Sequence, residues 1–142
     1  MFKTIVVGHD GSIHGDRAMG MARLLASEQG ARVVIVHVTE LIGGKGGIVP
    51  MSIDEPDIRK QLAAEAEELR EAGRSAEFVH RTVDVGGPAA VIAEVAREEH
   101  ADLIVVGSRG HSAVAEIFLG SVSLRLLHIA HRPVLVIPPP VG

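Results

Sequence analysis

The chain has 142 residues, enough for one domain that buries roughly 70% of the surface its unfolded form exposes. Its 14 basic and 18 acidic residues give a net charge of −4, which argues against a broad electrostatic surface for nucleic acid. With no cysteine it cannot form a disulfide or a thiolate metal site, and no apolar run reaches the ~18 residues of a membrane span. We therefore expect one cytoplasmic domain over residues 1–142, with no nucleic-acid partner and no membrane partner.

The chain opens with a strand and a helix. The run from Phe2 to Gly8 is β-branched and ends in glycine, which is typical of a buried strand. After the loop His9-Asp10-Gly11-Ser12, apolar residues recur at helical spacing up to Gly30, which is placed as a C-terminal cap. A second run of mostly β-branched residues, Arg32 to Val38, predicts a second central strand.

A long connection is predicted next. The stretch from Leu41 to Pro56 includes four glycines and two prolines and has no steady period. Connections of this length are uncommon in compact domains and are often binding loops or lids, while plain disorder fits the composition at least as well.

The second half continues the alternation of strand and helix. Helical patterns cover Asp57–Gly73, Gly87–His100 and Leu124–His131, and β-rich runs cover Phe78–Val85, Leu103–Val106 and Val134–Ile137. The Phe78–Val85 run is the most polar of the strands, as expected at a sheet edge.

Strand alternating with helix predicts an α/β fold, a single doubly wound, mainly parallel five-stranded sheet with helices on both faces, Rossmann-like. The strand order we expect is 3-2-1-4-5. In that order the loops after strands 1 and 4 face each other across the crevice where such sheets bind ligands. This topology brings Asp10 opposite Gly107.

A glycine loop follows the buried strand Leu103–Val106. Glycines allow sharp turns and a close approach of the backbone to a ligand, and free N–H groups at a helix start favour phosphate. The loop and the helix start after it provide three glycines, a cation and two hydroxyls: Gly107, Arg109, Gly110, Gly120, Ser121 and Ser123. Each residue alone is also explained by a turn or a helix cap, whereas the complete set favours a polyphosphate site.

The spacing of this loop resembles the nucleotide-binding motif of the universal stress protein family. Gly107, Gly110, Gly120 and Ser121 fill its four fixed positions, with two residues between the first pair and nine before the third glycine. The stretches TIVVGHDGS, ADLIVVGSRG and RPVLVIP are similar to the same family. The resemblance covers essentially the whole chain and implies its ATP-binding branch, in which Mg²⁺ can accompany the phosphates.

The resemblance also implies a role for individual residues. Asp10 matches an acidic residue near the ribose, and Val38 matches a position whose backbone faces the adenine edge. Without tryptophan or tyrosine, adenine would lie against aliphatic side chains such as Val7 and Val38. The remaining contacts to phosphate and ribose fall on Gly107, Arg109, Gly110, Gly120, Ser121, Val122 and Ser123, with His9 and Arg109 at positions where such families vary.

The sequence gives less support for catalysis or metal binding than for nucleotide binding. The Walker pattern, the dinucleotide fingerprint after the first strand and the nucleophile-elbow pattern are all missing, so efficient hydrolysis is not expected and slow hydrolysis is left open. His128 and His131 lie three apart on the last helix, but no third ligand is indicated beside them. His111, near the glycine loop, is compatible with a phosphate contact and, more simply, with an ordinary surface position.

Three functions remain open from the sequence. The first is an ATP-binding stress or signalling protein in which nucleotide occupancy alters interactions. The second is a binder of cyclic AMP or another adenine nucleotide, and the third is a nucleotide-independent dimeric interaction module. The exposed edge expected at Val134–Ile137 is suited to dimerisation in all three, and the resemblance implies a homodimer paired through this strand.

Overall fold

The computed structural model of the chain describes residues 1–44, 46–50, 54–83, 85–108 and 120–140. The strands are β1 (Thr4–Gly8), β2 (Arg32–Thr39), β3 (Leu41–Gly44), β4 (Gly47–Pro50), β5 (Ala76–Thr82), β6 (Leu103–Gly107) and β7 (Val134–Ile137). The helices are α1 (Ile13–Gln29), α2 (Glu55–Glu71), α3 (Gly87–Glu98) and α4 (Ser121–Ile129).

Five strands form one parallel sheet in the order β5-β2-β1-β6-β7. Counted along the main sheet alone, this is the predicted order 3-2-1-4-5, and the doubly wound α/β fold is confirmed. β1 lies in the middle and pairs with β2 on one side and β6 on the other. Its three central residues, Ile5, Val6 and Val7, are completely buried.

Alternate residues of each central strand pack into two separate apolar layers. Side chains such as Ile5, Ile35 and Val105 pack against α1 and α2. Their neighbours in sequence, such as Val6 and Ile104, pack against α3 and α4 on the other face. A sheet covered on both faces explains why these strands read as continuous apolar runs instead of alternating with polar residues.

The stretch predicted as a connection, Leu41 to Pro56, contains regular structure. β3 and β4 form a separate antiparallel hairpin in which Leu41 lies opposite Pro50. Gly47 has φ +102° at the turn, a conformation that glycine adopts without strain. Strands of four residues that contain glycines show no recognisable alternation in sequence. The prediction of an irregular connection was therefore wrong for these residues.

Helix starts lie earlier than predicted. α2 begins at Glu55 instead of Asp57, because Pro56 fits the first helical turn, where no N–H donor is needed. α4 begins at Ser121, three residues before the predicted Leu124.

Several element ends differ as well. β1 begins at Thr4, two residues later than predicted, and β5 spans Ala76–Thr82 instead of Phe78–Val85. α3 ends at Glu98 and α4 at Ile129, each two residues early. The residues predicted as their last, His100 and His131, have φ near +50°, a left-handed conformation that stops a helix.

We predict that Leu62→Ala lowers the free energy of unfolding by about 2–5 kcal/mol, because a fully buried side chain of α2 is removed from the layer between helix and sheet. Urea denaturation measures the effect. The matched control is Leu127→Ala on α4, where the leucine is 51% exposed and a change within about 0.5 kcal/mol is expected. Equal losses in both variants would contradict this packing.

Candidate functional site

The predicted site residues that the structure describes gather at the carboxyl edge of the sheet. β1 and β6 are paired neighbours, with Val7 opposite Val105, so the loops after them begin side by side. The chain leaves β1 for α1 on one face, while α4, after the loop that follows β6, packs on the other. Doubly wound sheets bind ligands in the crevice that this divergence opens.

Asp10 begins the turn after β1. Its Oδ1 accepts hydrogen bonds from the Ser12 backbone N–H at 3.0 Å and from the Ser12 hydroxyl at 2.5 Å. Ser12 in turn is the N-cap of α1 and accepts the Gly15 N–H. The cap is therefore Ser12, and Asp10 is half-buried at the crevice, where it fixes the orientation of that cap.

Val38 lies on the part of β2 that extends beyond β1. The last residue of β1, Gly8, is opposite Val36, and the next backbone bond runs from the His9 N–H to the Val36 carbonyl. Because both backbone groups of one strand residue point to the same side, and Val36 faces β1, the N–H and C=O of Val38 also point that way. They face the space past the end of β1, and no described backbone group pairs with them.

The start of α4 is tied to the end of β6 through backbone groups. The Gly120 N–H donates to the Ser108 carbonyl at 2.5 Å. The hydroxyl of Ser123, which is buried, lies 3.1 Å from the Gly120 carbonyl and 3.3 Å from that of Ser108. Ser123 thus uses its hydroxyl to hold this junction together.

Three amides at the start of α4 lie beside that junction. The first backbone bond of the helix runs from the Leu124 N–H to the Gly120 carbonyl, so the N–H groups of Ser121, Val122 and Ser123 precede it. Among the described residues no backbone carbonyl accepts from them. Together with the positive end of the helix dipole, they form a site suited to an anion.

Ser108 is a candidate residue that the sequence reasoning missed. It follows Gly107 at the end of β6, and only 6% of its surface is exposed. Its hydroxyl is buried and has no hydrogen-bond partner in the described part of the chain. A buried hydroxyl without a partner is costly unless a ligand or water completes it. The available signal was its position inside the glycine loop.

Gly107 has a structural reason to be glycine. A Cβ placed there would lie 2.8 Å from the backbone oxygen of His14 and 3.0 Å from its Cβ. The close packing of α1 on the end of β6 therefore requires glycine at this position. Arg109, Gly110 and His111, the other predicted residues of the loop, lie outside the described residues.

His9 is a buried polar residue beneath the α1–α2 side of this edge. Its Nδ1 accepts the Gly11 N–H at 3.0 Å, and its Nε2 lies 3.1 Å from Asp16 Oδ1. Because Nδ1 accepts, the ring proton of the neutral imidazole is on Nε2, which donates to Asp16. Burial lowers the pKa of His9, although the carboxylates of Glu65, Asp16 and Asp10 oppose that effect.

A metal ion is a poor fit to this cluster. His9, Asp16 and Glu65 are the one described set of three metal-ligating side chains within reach of each other, and it does not include His128 or His131. Coordination by Nε2 would require moving the ring proton to Nδ1, where it would face the Gly11 N–H. The ring is thus built as a hydrogen-bond donor to Asp16.

We predict that stability falls as the pH drops below about 6.5, the ordinary pKa of histidine. The unfolded chain protonates His9 near that pH, whereas the folded chain does so only at lower pH, so the unfolded state binds more protons in between. The urea midpoint of unfolding, measured between pH 7.5 and 5, gives this slope. Burial also lowers the pKa of His80, so this residue adds to the pH dependence of stability in the same direction.

His9→Asn is expected to make the pH slope shallower, since the titrating ring is removed while an amide oxygen can still accept the Gly11 N–H. The control is His128→Asn, at an exposed histidine of α4, which should leave the slope intact. An unchanged slope in His9→Asn would show that another group is responsible.

Comparison with known proteins agrees with the doubly wound fold. The model of the universal stress protein family matches residues 1–138, so the chain belongs to the universal stress protein family. It is 38% identical to the universal stress protein in the QAH/OAS sulfhydrylase 3′ region of Thermus aquaticus, over 96% of this chain and 99% of that protein.

Two solved structures are similar over nearly the full length. A universal stress family protein from Burkholderia pseudomallei has a TM-score of 0.71 and 28% identity, with 96% of each chain covered. A universal stress protein solved in complex with cAMP has a TM-score of 0.66 and 27% identity, covering 96% of this chain and 97% of that one. Among the described helices, none has the length and apolar character needed to cross a membrane.

Proposed function

We propose that this chain is a single adenine-nucleotide-binding domain that holds ATP in the crevice between the ends of β1, β2 and β6. The N–H and C=O of Val38 point together into that space. Adenine presents an acceptor, N1, beside a donor, the N6 amino group, so its edge is complementary to such a pair. The carboxylate of Asp10 is suited to accept hydrogen bonds from ribose hydroxyls.

The phosphates are assigned to the loop after β6 and the start of α4. The amides of Ser121, Val122 and Ser123 and the hydroxyl of Ser108 are donors to phosphate oxygens. The backbones of Gly107, Gly110 and Gly120 and the guanidinium of Arg109 belong to the same proposed site. Mg²⁺ bound with ATP would neutralise part of the phosphate charge.

One observation carries this proposal: on both sides of one crevice lie hydrogen-bonding groups that have no partner among the described residues. The backbone of Val38 is on the β2 side, and the hydroxyl of Ser108 is on the β6 side. Buried or recessed polar groups are normally paired, so groups left unpaired together indicate a ligand that completes them. A nucleotide provides a base for one side and phosphates for the other.

An adenine nucleotide with a single phosphate, such as cyclic AMP, is the alternative to ATP, and one comparison favours it. A similar universal stress protein was solved with cAMP bound. In this chain such a ligand would use the same Val38 edge and place its one phosphate on the amides of α4. Titration with both nucleotides separates the two.

We propose that the nucleotide acts as a bound ligand in a cytoplasmic stress-response protein, and that hydrolysis is at most slow. The described site offers an acidic residue, Asp10, whose Oδ1 is already occupied by Ser12. A ligand that binds only the folded state stabilises it in proportion to its concentration. Occupancy would thus alter stability and interactions without chemistry.

Gly120→Val is expected to weaken ATP binding by at least about tenfold, equivalent to 1.4 kcal/mol, because the new side chain crowds the amides at the start of α4. Gly120 has φ −63° and ψ 157°, which valine can adopt, so unfolding stays cooperative. Isothermal titration of the nucleotide-free protein measures the affinity.

The control for this experiment is Gly20→Val on the surface of α1, where a Cβ meets nothing within 4 Å. Its affinity for ATP should match that of the parent protein. ATP affinity that survives Gly120→Val unchanged would move the phosphate site elsewhere.

We further propose a homodimer paired through β7. β7 is at one edge of the sheet, and its half-buried residues show apolar surface on both faces. The Pro133 and Ile137 carbonyls bond to β6, so Leu135 and Ile137 face inward and the backbone groups of Val134 and Val136 point outward. An open edge of this kind is a template for a strand of a second copy.

Light scattering should give a mass near twice the 15.0 kDa of one chain. Val136→Pro removes an outward N–H without touching the ladder to β6, so it should shift the mass toward 15.0 kDa while unfolding stays cooperative. A parent protein with the mass of one chain would contradict the dimer.

A further inference from the structure

His37 is a fully buried histidine on β2 whose two ring nitrogens both face acceptors. Nδ1 lies 2.8 Å from the backbone oxygen of His9, and Nε2 lies 2.7 Å and 2.9 Å from the two carboxylate oxygens of Glu55. A carbonyl oxygen accepts and never donates, so Nδ1 carries a proton and donates to His9. This is a side-chain bond to a backbone group at the end of β1.

That bond takes the place of one step of the β1–β2 ladder. The His9 N–H donates to the Val36 carbonyl, and the next step of a parallel ladder would run from the Val38 N–H to the His9 carbonyl. The structure forms no such bond; the carbonyl is bound by the His37 ring. The Val38 N–H is left facing the crevice.

We propose that His37 is a positioning residue for adenine: by holding the His9 carbonyl, it keeps the Val38 backbone edge open to the base of the nucleotide. This inference rests on the adenine site proposed above, and it identifies the residue that keeps the site open before the nucleotide binds. Without the ring, the His9 carbonyl would accept the Val38 N–H and β1 would extend by one residue. The donor intended for adenine would then be used within the sheet.

Glu55 fixes the ring in this position. It is the first residue of α2, is only 4% exposed, and also accepts the Thr39 hydroxyl at 3.1 Å. The Thr39 oxygen bonds to His80 Nε2, and the His37 and His80 rings stack with centroids 6.1 Å apart. The orientation of His37 is thus set by groups from α2, β2 and β5.

Amide hydrogen exchange of the nucleotide-free protein, read by NMR at single residues, tests the inference without any ligand. Val36 and Val38 both lie on β2 and both face β1, but only Val36 is opposite a β1 residue. We expect the Val38 amide to exchange at least about a hundredfold faster than that of Val36. A Val38 amide as protected as that of Val36 overturns the proposal.

Two substitutions at His37 separate its hydrogen bond from its bulk. His37→Leu removes the donor and should slow exchange of the Val38 amide, since the ladder can close. His37→Asn keeps an N–H donor near the position of Nδ1 and should leave exchange fast. The control His80→Asn changes the neighbouring histidine, which has no bond to His9, and should also leave it fast. Unchanged exchange in His37→Leu overturns the proposal.

Nucleotide preference is the functional readout. Hypoxanthine in ITP reverses the donor and acceptor of the adenine edge, so the parent should prefer ATP, and His37→Leu should reduce the ATP:ITP affinity ratio by about tenfold. The affinity of His37→Leu for inorganic tripolyphosphate should equal that of the parent. His37→Asn should keep the ATP:ITP affinity ratio of the parent.

Equal losses for ATP, ITP and tripolyphosphate in His37→Leu would show a general structural effect and overturn the positioning role. A parent that binds none of the three would refute the proposed function, while the exchange rates of Val38 still decide what His37 does. If His37→Leu fails to fold, the positioning role of His37 is tested by the amide exchange rates of the parent and by the preference of His37→Asn for ATP over ITP.

Discussion

The pairing of β1 with both β2 and β6 is the constraint on which the rest of the structure depends. It buries the three central residues of β1 and places the end of the strand where the chain turns to opposite faces of the sheet. Each face is then closed by a pair of helices, which removes apolar surface from water on both sides of the sheet. In the described part of the chain, no further strand of the sheet lies beyond the end of β1 to pair with the extension of β2.

The groups at that edge fall into two kinds. Some are completed within the protein: Asp10 holds Ser12, Ser123 holds the junction of β6 and α4, and His37 holds His9. Others have no partner in the described chain, namely the Val38 backbone and the Ser108 hydroxyl. Under the proposed function, the first kind keeps the second in place, as in a site that is formed before its ligand binds.

Much of the fold was predictable because strand and helix periods differ and each central strand is a run of β-branched residues. The strand order followed from the alternation of elements and from the resemblance. The β3–β4 hairpin was missed because strands of four residues between glycines have no readable period. The hydrogen bond from His37 to the His9 carbonyl was not predictable, since it joins two residues 28 positions apart in the chain. Gly107 matched the motif, but the close packing of His14 against it depends on the tertiary structure and could not be predicted from the motif.

The most direct test of the central claim, that this crevice holds an adenine nucleotide, is to identify what the purified protein carries. The protein is denatured, released nucleotide is identified by chromatography and mass spectrometry, and the emptied protein is titrated with ATP, AMP and cyclic AMP. We predict release or tight binding of ATP, and a preference for cyclic AMP would select the single-phosphate alternative. No binding of any of the three would contradict the account, and the glycine loop would then be a structural turn.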